Sequence, residues 1–255
     1  MESSPAPWIE ALRHGHDRLA AIVRPLGADQ LSGPSYASEW SIAQVLSHLG
    51  SGAEIFGLFL DAGLDGTEPP GREAFGPIWE SWNAKAPQDK AADAIKSDGA
   101  LVARLAAMDA EQLAELRLAM FGMDVDAAML ARMRLGELSV HTWDIAVALD
   151  PAATVAADAV DLLIDTLDQL AARAGKADGG ALSVRVDTSG PARQFAVRVA
   201  DKVELTESGD GRADLTLPAE AFVRLVYGRL DPAHTPAVQP AQFDLDPLRK
   251  LFPGF

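Results

Sequence analysis

Glu137-Leu-Ser-Val-His141 sits in a stretch that reads as one long helix, from about Asp124–Asp126 to Leu149, with Pro151 closing it. At about 3.6 residues per turn, Glu137 and His141 share one face and stack one turn apart. A second histidine, His48, lies far upstream on another expected helix. That helix opens at Trp40-Ser-Ile-Ala-Gln44, where Ser41 and Gln44 fit a capping box and Trp40 is the apolar residue ahead of the cap. It runs on through Val45, Leu46, Leu49, Ile55 and Phe56 to about Leu60. His48 shares a stripe with Val45, Gly52 and Ile55, which points it inward, and the small Gly52 one turn on leaves room for an ion or a ligand.

Two more long helices surround this pair. The first spans about Pro7 to Val23 and is stopped by Pro25; the other covers about Gln88 to Met108. Ser32 to Tyr36 reads as a loop, as does the Gly/Pro-rich stretch from Gly63 to Pro77. Trp79 and Trp82 fall in a short helical turn after it, and with Phe75 they read as core or lid packing. Four long helices in the first part of the chain, with no strand pattern, predict an up-and-down four-helix bundle over residues 1–152.

After Pro151 the periodicity changes. One helix, about Ala156 to Ala174, leads to the loop Lys176 to Gly180. Leu182 to Asp187 and Phe195 to Val199 then alternate apolar and polar, as half-buried strands do. Val203 to Thr206 and Ala213 to Leu217 are further strand candidates, with Gly209 to Gly211 as the turn between them. Pro218 opens a short amphipathic helix, Ala219 to Tyr227, and Pro247 to Phe252 reads as a last helical turn. Residues 153–255 thus form a small α+β domain, and the fold class is α+β.

Composition narrows the function. The chain has 255 residues, is 48% hydrophobic and 23% charged, and has a formal net charge of −15. That balance argues against nucleic acid and against anionic membrane surfaces. No apolar stretch is long enough for a membrane span, and no leader pattern is visible, so a cytoplasmic protein is expected, as monomer or homodimer. Cysteine is absent, so no protein thiol can act as nucleophile or metal ligand.

Two imidazoles and a carboxylate suit a divalent metal such as zinc, and three protein ligands leave an open coordination position. Spacing alone leaves a plainer reading open, in which Glu137 and His141 pair on a helix surface and His48 is a core histidine. His14 and His16 read as surface residues of the first helix, and His234 as part of a Pro-rich loop.

Together, Trp40-Ser-Ile-Ala-Gln-Val-Leu-Ser-His48-Leu49 and Gly136-Glu-Leu-Ser-Val-His141-Thr-Trp-Asp144 resemble the mycothiol-dependent maleylpyruvate isomerase family, within the DinB-like metal-binding bundles. The later Leu225-Val-Tyr-Gly-Arg-Leu230 resembles part of that family's second, sterol-carrier-like domain. The resemblance implies that His48, Glu137 and His141 bind Zn²⁺ or another divalent metal. It also implies a catalytic arginine from the second domain, with Arg229 the better fit and Arg224 the weaker. Asp144 and Arg134, each about one turn from a ligand, are candidates for orienting the ligand side chains. The implied cofactor is mycothiol or a similar low-molecular-weight thiol, and the implied partner a small electrophile. The activity would be isomerisation of a maleylpyruvate-like substrate or S-transfer. Two other classes fit the same residues: a non-catalytic binder of metal or apolar ligand, and a hydrolase using metal-bound water.

Overall fold

The computed structural model describes residues 4–37, 39–177, 180–209 and 211–254. The chain divides into two compact units, Met1–Ala153 and Thr154–Phe255. The first is built from helices α1 (Ala6–Val23), α2 (Ala28–Ser32), α3 (Ile42–Asp65), α4 (Phe75–Ala84), α5 (Pro87–Ala107) and α6 (Ala110–Glu115). A hairpin of β1 (Arg117–Met120) and β2 (Met123–Asp126) follows, and then α7 (Ala127–Leu149). The four long helices close a ring, because α1 and α3 each pack on both α5 and α7. This is the expected bundle.

Local chemistry sets the phase of the two helices that matter most. Ser41 Oγ accepts from the Gln44 backbone N–H at 3.2 Å, and Gln44 Oε1 accepts from the Ser41 N–H at 2.8 Å. The capping box therefore forms as read, and α3 starts at Ile42. The Asp126 side chain accepts from the Met129 N–H at 2.7 Å and caps α7. Beyond that cap, α7 is buried nearly all round, with Leu130, Leu135, Leu138 and Ile145 sealed from water. A helix apolar on every side is a core helix. What interrupts its apolar surface is therefore informative.

Two expectations for this unit change. Helix α3 does not stop near Leu60 but runs to Asp65, capped by Gly66 in the left-handed region at φ 63°. Gly63, read as the start of a loop, is inside the helix because Leu118 packs there; a Cβ would lie 2.1 Å from Leu118 Cδ2. The expectation of no strand in this region also fails. Leu118 and Met120 point in while Arg117 and Ala119 point out, over a strand of only four residues. Phe121 and Gly122 make the turn with φ of 51° and 79°, the geometry a two-residue hairpin favours. The short helices α2 and α6 lie where the sequence gives no helix expectation.

Trp82 and Phe75 are buried, as core packing requires, whereas Trp79 is exposed. Trp82 lies so close to α3 that a Cβ on Gly50 would come within 2.2 Å of its ring. Its indole N–H donates to Glu54 at 2.7 Å.

In the second unit the expected single helix is broken. It comprises α8 (Ala157–Leu163), a 3₁₀ turn at Ile164–Thr166 and α9 (Leu167–Ala174). Thr166 turns its hydroxyl back on the Leu163 carbonyl at 3.0 Å, a local bond that competes with the helix ladder. Strands β3 (Leu182–Ser189), β4 (Arg193–Val199), β5 (Val203–Glu207) and β6 (Leu215–Pro218) form one sheet in the order β5-β4-β3-β6. Only the β3–β6 pair is parallel. Helix α9 packs on β5, and α10 (Ala219–Val226) on β3 and β6. The chain continues through α11 (Asp246–Leu251). The loop read at Lys176 to Gly180 and the turn at Gly209 to Gly211 each include residues outside those described. No helix among the described residues is long and apolar enough to cross a membrane.

Candidate metal centre

His48 projects from α3 and Glu137 and His141 from α7, and the three meet. His48 Nε2 is 3.1 Å from Glu137 Oε2, and His141 Nε2 is 3.6 Å from the same oxygen. The two imidazoles stand edge to face with centroids 4.7 Å apart. One donor atom from each residue lies within 4.8 Å of the other two. Among the described residues this is the one cluster of three such side chains brought so close.

Asp144 is fully buried one turn beyond His141, and its Oδ2 lies 2.8 Å from His141 Nδ1. An ionised Asp144 can only accept, so His141 donates from Nδ1. Its Nε2 then turns toward Glu137 Oε2, itself an acceptor. At 3.6 Å the two are too far apart to hydrogen-bond, and both can offer a lone pair to a shared cation. A carboxylate behind a histidine is how ligand imidazoles are commonly oriented and made more basic. We expect Asp144→Ala to lower zinc affinity by about 10–100-fold in a chelator competition. Unchanged affinity would remove the orienting role.

Burial by itself raises the Glu137 carboxyl. The hydrogen bond from His48, the charges of His141 and His48, and then the Arg134 guanidinium outweigh it and hold the group down to about 2. Glu137 is thus an anion at neutral pH. The cluster is also open on one side: the His48 and Glu137 side chains are 38% and 46% exposed. Convergence of two imidazoles and a carboxylate, with a solvent-facing opening, fits a divalent cation with a free coordination position.

Arg134 is placed differently from the expectation. It is buried and donates to Asp98 Oδ1 at 2.7 Å and to the Leu49 carbonyl, beside His48, at 3.0 Å. It also fills the space beside Gly52, where a Cβ would lie 3.3 Å from its Nη1. The small residue at 52 therefore makes room for an arginine rather than for an ion. His16, read as a surface residue, is mostly buried and pairs through Nδ1 with Asp98 Oδ2 at 2.8 Å. His14 is on the surface beside Glu10, as expected. No sequence signal marked the His16–Asp98 pair, because its partners are 82 residues apart.

In the sequence Trp40 reads only as the residue ahead of the helix cap. Its ring lies over the cluster, with its centroid 5.4 Å from that of His48 and 6.5 Å from that of His141.

The two arginines singled out in the sequence belong to the second unit. Arg224 is buried and grips the Glu220 carboxylate through Nε and Nη2 at 2.6 and 2.9 Å. It also donates to the Arg229 and His234 carbonyls. Arg229 follows Gly228, which turns the chain at φ 71°, and donates from Nη1 to the Tyr227 carbonyl at 2.9 Å. His234 pairs with Asp231 in a 3₁₀ turn.

A DinB-like helical bundle with a three-donor cluster at an opening, joined to a small α+β unit, defines the class. Residues 12–146, more than half of the chain, match the family model of the mycothiol maleylpyruvate isomerase N-terminal domain. The chain belongs to this family. Two solved structures share its fold: a crystal structure of the mycothiol-dependent maleylpyruvate isomerase and one of a His-to-Ala mutant of it. Each is 13% identical to this chain, with a TM-score of 0.69 over 95% of this chain and 96% of that one. No curated protein matches this chain in sequence.

Proposed function

We propose that this chain is a metal-dependent enzyme that activates a low-molecular-weight thiol, mycothiol by family, for attack on a small electrophile. The observation that carries the reading is the convergence of His48, Glu137 and His141 at an opening, in a chain without cysteine. A divalent cation held there, zinc being well suited to these donors, would lower the pKa of a thiol in its open position and supply a thiolate at neutral pH.

The chain's own residues have separable parts. His48, Glu137 and His141 hold the cation. Asp144 keeps His141 in the tautomer that presents Nε2. Arg229 is the residue we assign to a substrate carboxylate, on the likeness of Leu225 to Leu230 to the family's second domain. A thiol bound there would supply reversible addition to an activated carbon–carbon double bond, which would let a maleylpyruvate-like acceptor pass to its trans form with the thiol regenerated and nothing oxidised. With a halide the sulfur would stay attached and a halide ion leave, and with an epoxide the ring oxygen would take up a proton; either would be S-transfer. A reduced thiol pool places such an enzyme in the cytoplasm.

The test is turnover of maleylpyruvate and of a panel of neutral electrophiles, with and without mycothiol, before and after chelation. We expect turnover to require both thiol and metal. Metal-dependent turnover without any thiol would replace this reading with hydrolysis, and turnover indifferent to chelation would end it. Arg229→Ala should lower kcat/KM for a carboxylate-bearing acceptor by about 100-fold or more while sparing neutral ones. An equal loss on both kinds would remove its assigned role.

A further inference from the structure

We propose that Arg134 is a positioning residue of the metal centre, holding the turn of α3 that carries His48 against α7 through the Leu49 carbonyl. The inference rests on the metal reading above and adds what fixes the geometry of the site. Glu137 and His141 share α7, so their spacing is set within one helix. Of the three donors, His48 alone comes from α3. Where it stands relative to the other two therefore depends on how α3 is held by its neighbours.

That turn is tied down more heavily than helix formation requires. A helix carbonyl keeps a second lone pair after its bond within the helix. At three successive residues a side chain donates to it. Ser51 Oγ donates to the His48 carbonyl at 3.1 Å, Arg134 Nη2 to that of Leu49 at 3.0 Å, and Ser97 Oγ to that of Gly50 at 3.1 Å. One residue earlier, Ser47 Oγ donates to Asn83 Oδ1 at 3.0 Å. These partners come from α3 itself, α7, α5 and α4. Arg134 is the one among them on α7, the helix of the other two donors, and it sits one turn before Glu137. Its own placement is rigid. Nε and Nη2 lie 3.2 and 2.7 Å from Asp98 Oδ1, and both residues are buried. A guanidinium so held joins α5, α7 and α3 at one spacing. Donors already in place bind a metal more tightly, because binding then orders nothing further.

The test separates this role from a general contribution to folding. The double variant Asp98→Leu with Arg134→Met replaces the buried pair by apolar side chains, so no charge is stranded and the net charge is unchanged. The Leu49 carbonyl loses its donor. His16→Leu removes a bond at the far end of the same network and leaves Arg134 in place. Gly52→Ala adds a methyl group that meets Arg134 Nη1 at 3.3 Å and no other atom beyond its own stretch of α3. Zinc affinity of the full chain is measured by chelator competition, with thermal melts alongside. The visible d–d bands of the cobalt-loaded chain report donor geometry. We expect the double variant to fold and to bind zinc about tenfold more weakly, with shifted bands. Gly52→Ala should shift the bands and weaken zinc by about threefold. His16→Leu should melt earlier yet keep the parent affinity and bands. Parent affinity and bands in the double variant would overturn the positioning role; should that variant not fold, parent bands in Gly52→Ala would overturn it instead. A loss of affinity in His16→Leu as large as in the double variant would also overturn it, since affinity would then follow stability alone. A parent chain that binds no zinc would overturn the metal reading and this one together.

Discussion

Asp98→Ala is expected to destabilise the protein by about 3–5 kcal/mol, a large loss for a single side chain. Asp98 is sealed from water, and its two oxygens serve two partners, Arg134 at 2.7 Å and His16 at 2.8 Å. Arg134 is itself almost sealed, so truncating Asp98 leaves a guanidinium buried without its counter-charge. The network also joins helices: His16 from α1, Asp98 from α5, Arg134 from α7 and the Leu49 carbonyl of α3. A drop of about 6–20 °C in the thermal midpoint should accompany the change. The pH dependence has a definite sign. Burial raises the Asp98 carboxyl, but Arg134 and His16 hold it below its ordinary value. Its stabilisation is therefore present above the unfolded-state value and is lost as pH falls through the folded one. The Asp98 hydrogen bond raises His16 against the opposing effect of burial. That contribution is present below the unfolded-state value and fades as pH rises through the folded one. Denaturant titrations of parent and variant across pH would check both. A change under about 1 kcal/mol would mean that water or another group satisfies Arg134.

The second large effect is on metal. His48→Ala should reduce zinc affinity by more than the roughly 10–100-fold typical of losing an orienting partner, because a donor itself is removed. The chain offers no cysteine to replace it. His141→Ala should do the same, but with a difference in stability. His48 is 38% exposed at its side chain, so its loss should leave folding nearly unchanged. His141 is 12% exposed and bonds through Nδ1 to the fully buried Asp144. Removing it should also cost about 1–3 kcal/mol for the hydrogen bond lost from that buried carboxylate. Zinc content with circular dichroism and thermal melts on the two variants separates these effects. Zinc retained in both would refute the assigned donors.

Much of this was legible in the chain because it is local. The Ser41–Gln44 box and the spacing from Glu137 to His141 depend only on residues within one or two helical turns. So does the placement of Asp144 beside His141. The rest depends on residues distant in sequence. Gly52 marks a cavity in both readings, but only the folded chain shows that Arg134 fills it. Gly63 reads as a helix end until Leu118, from a strand far downstream, is found against it. His16 reads as a solvent-facing histidine because Asp98 is invisible at that distance. The β1–β2 hairpin is too short for alternation to stand out. Trp40 fits the capping pattern well enough that its second role, over the imidazoles, has no separate signal.

Under the proposed function the cluster holds a metal whose open position takes an external sulfur. X-ray absorption fine structure at the zinc edge, on the loaded protein before and after adding mycothiol, reads that coordination. The chain has no cysteine, so only nitrogen and oxygen neighbours are expected at first, and one sulfur at about 2.3 Å once the thiol is present. A zinc whose neighbours do not change at saturating thiol would contradict it.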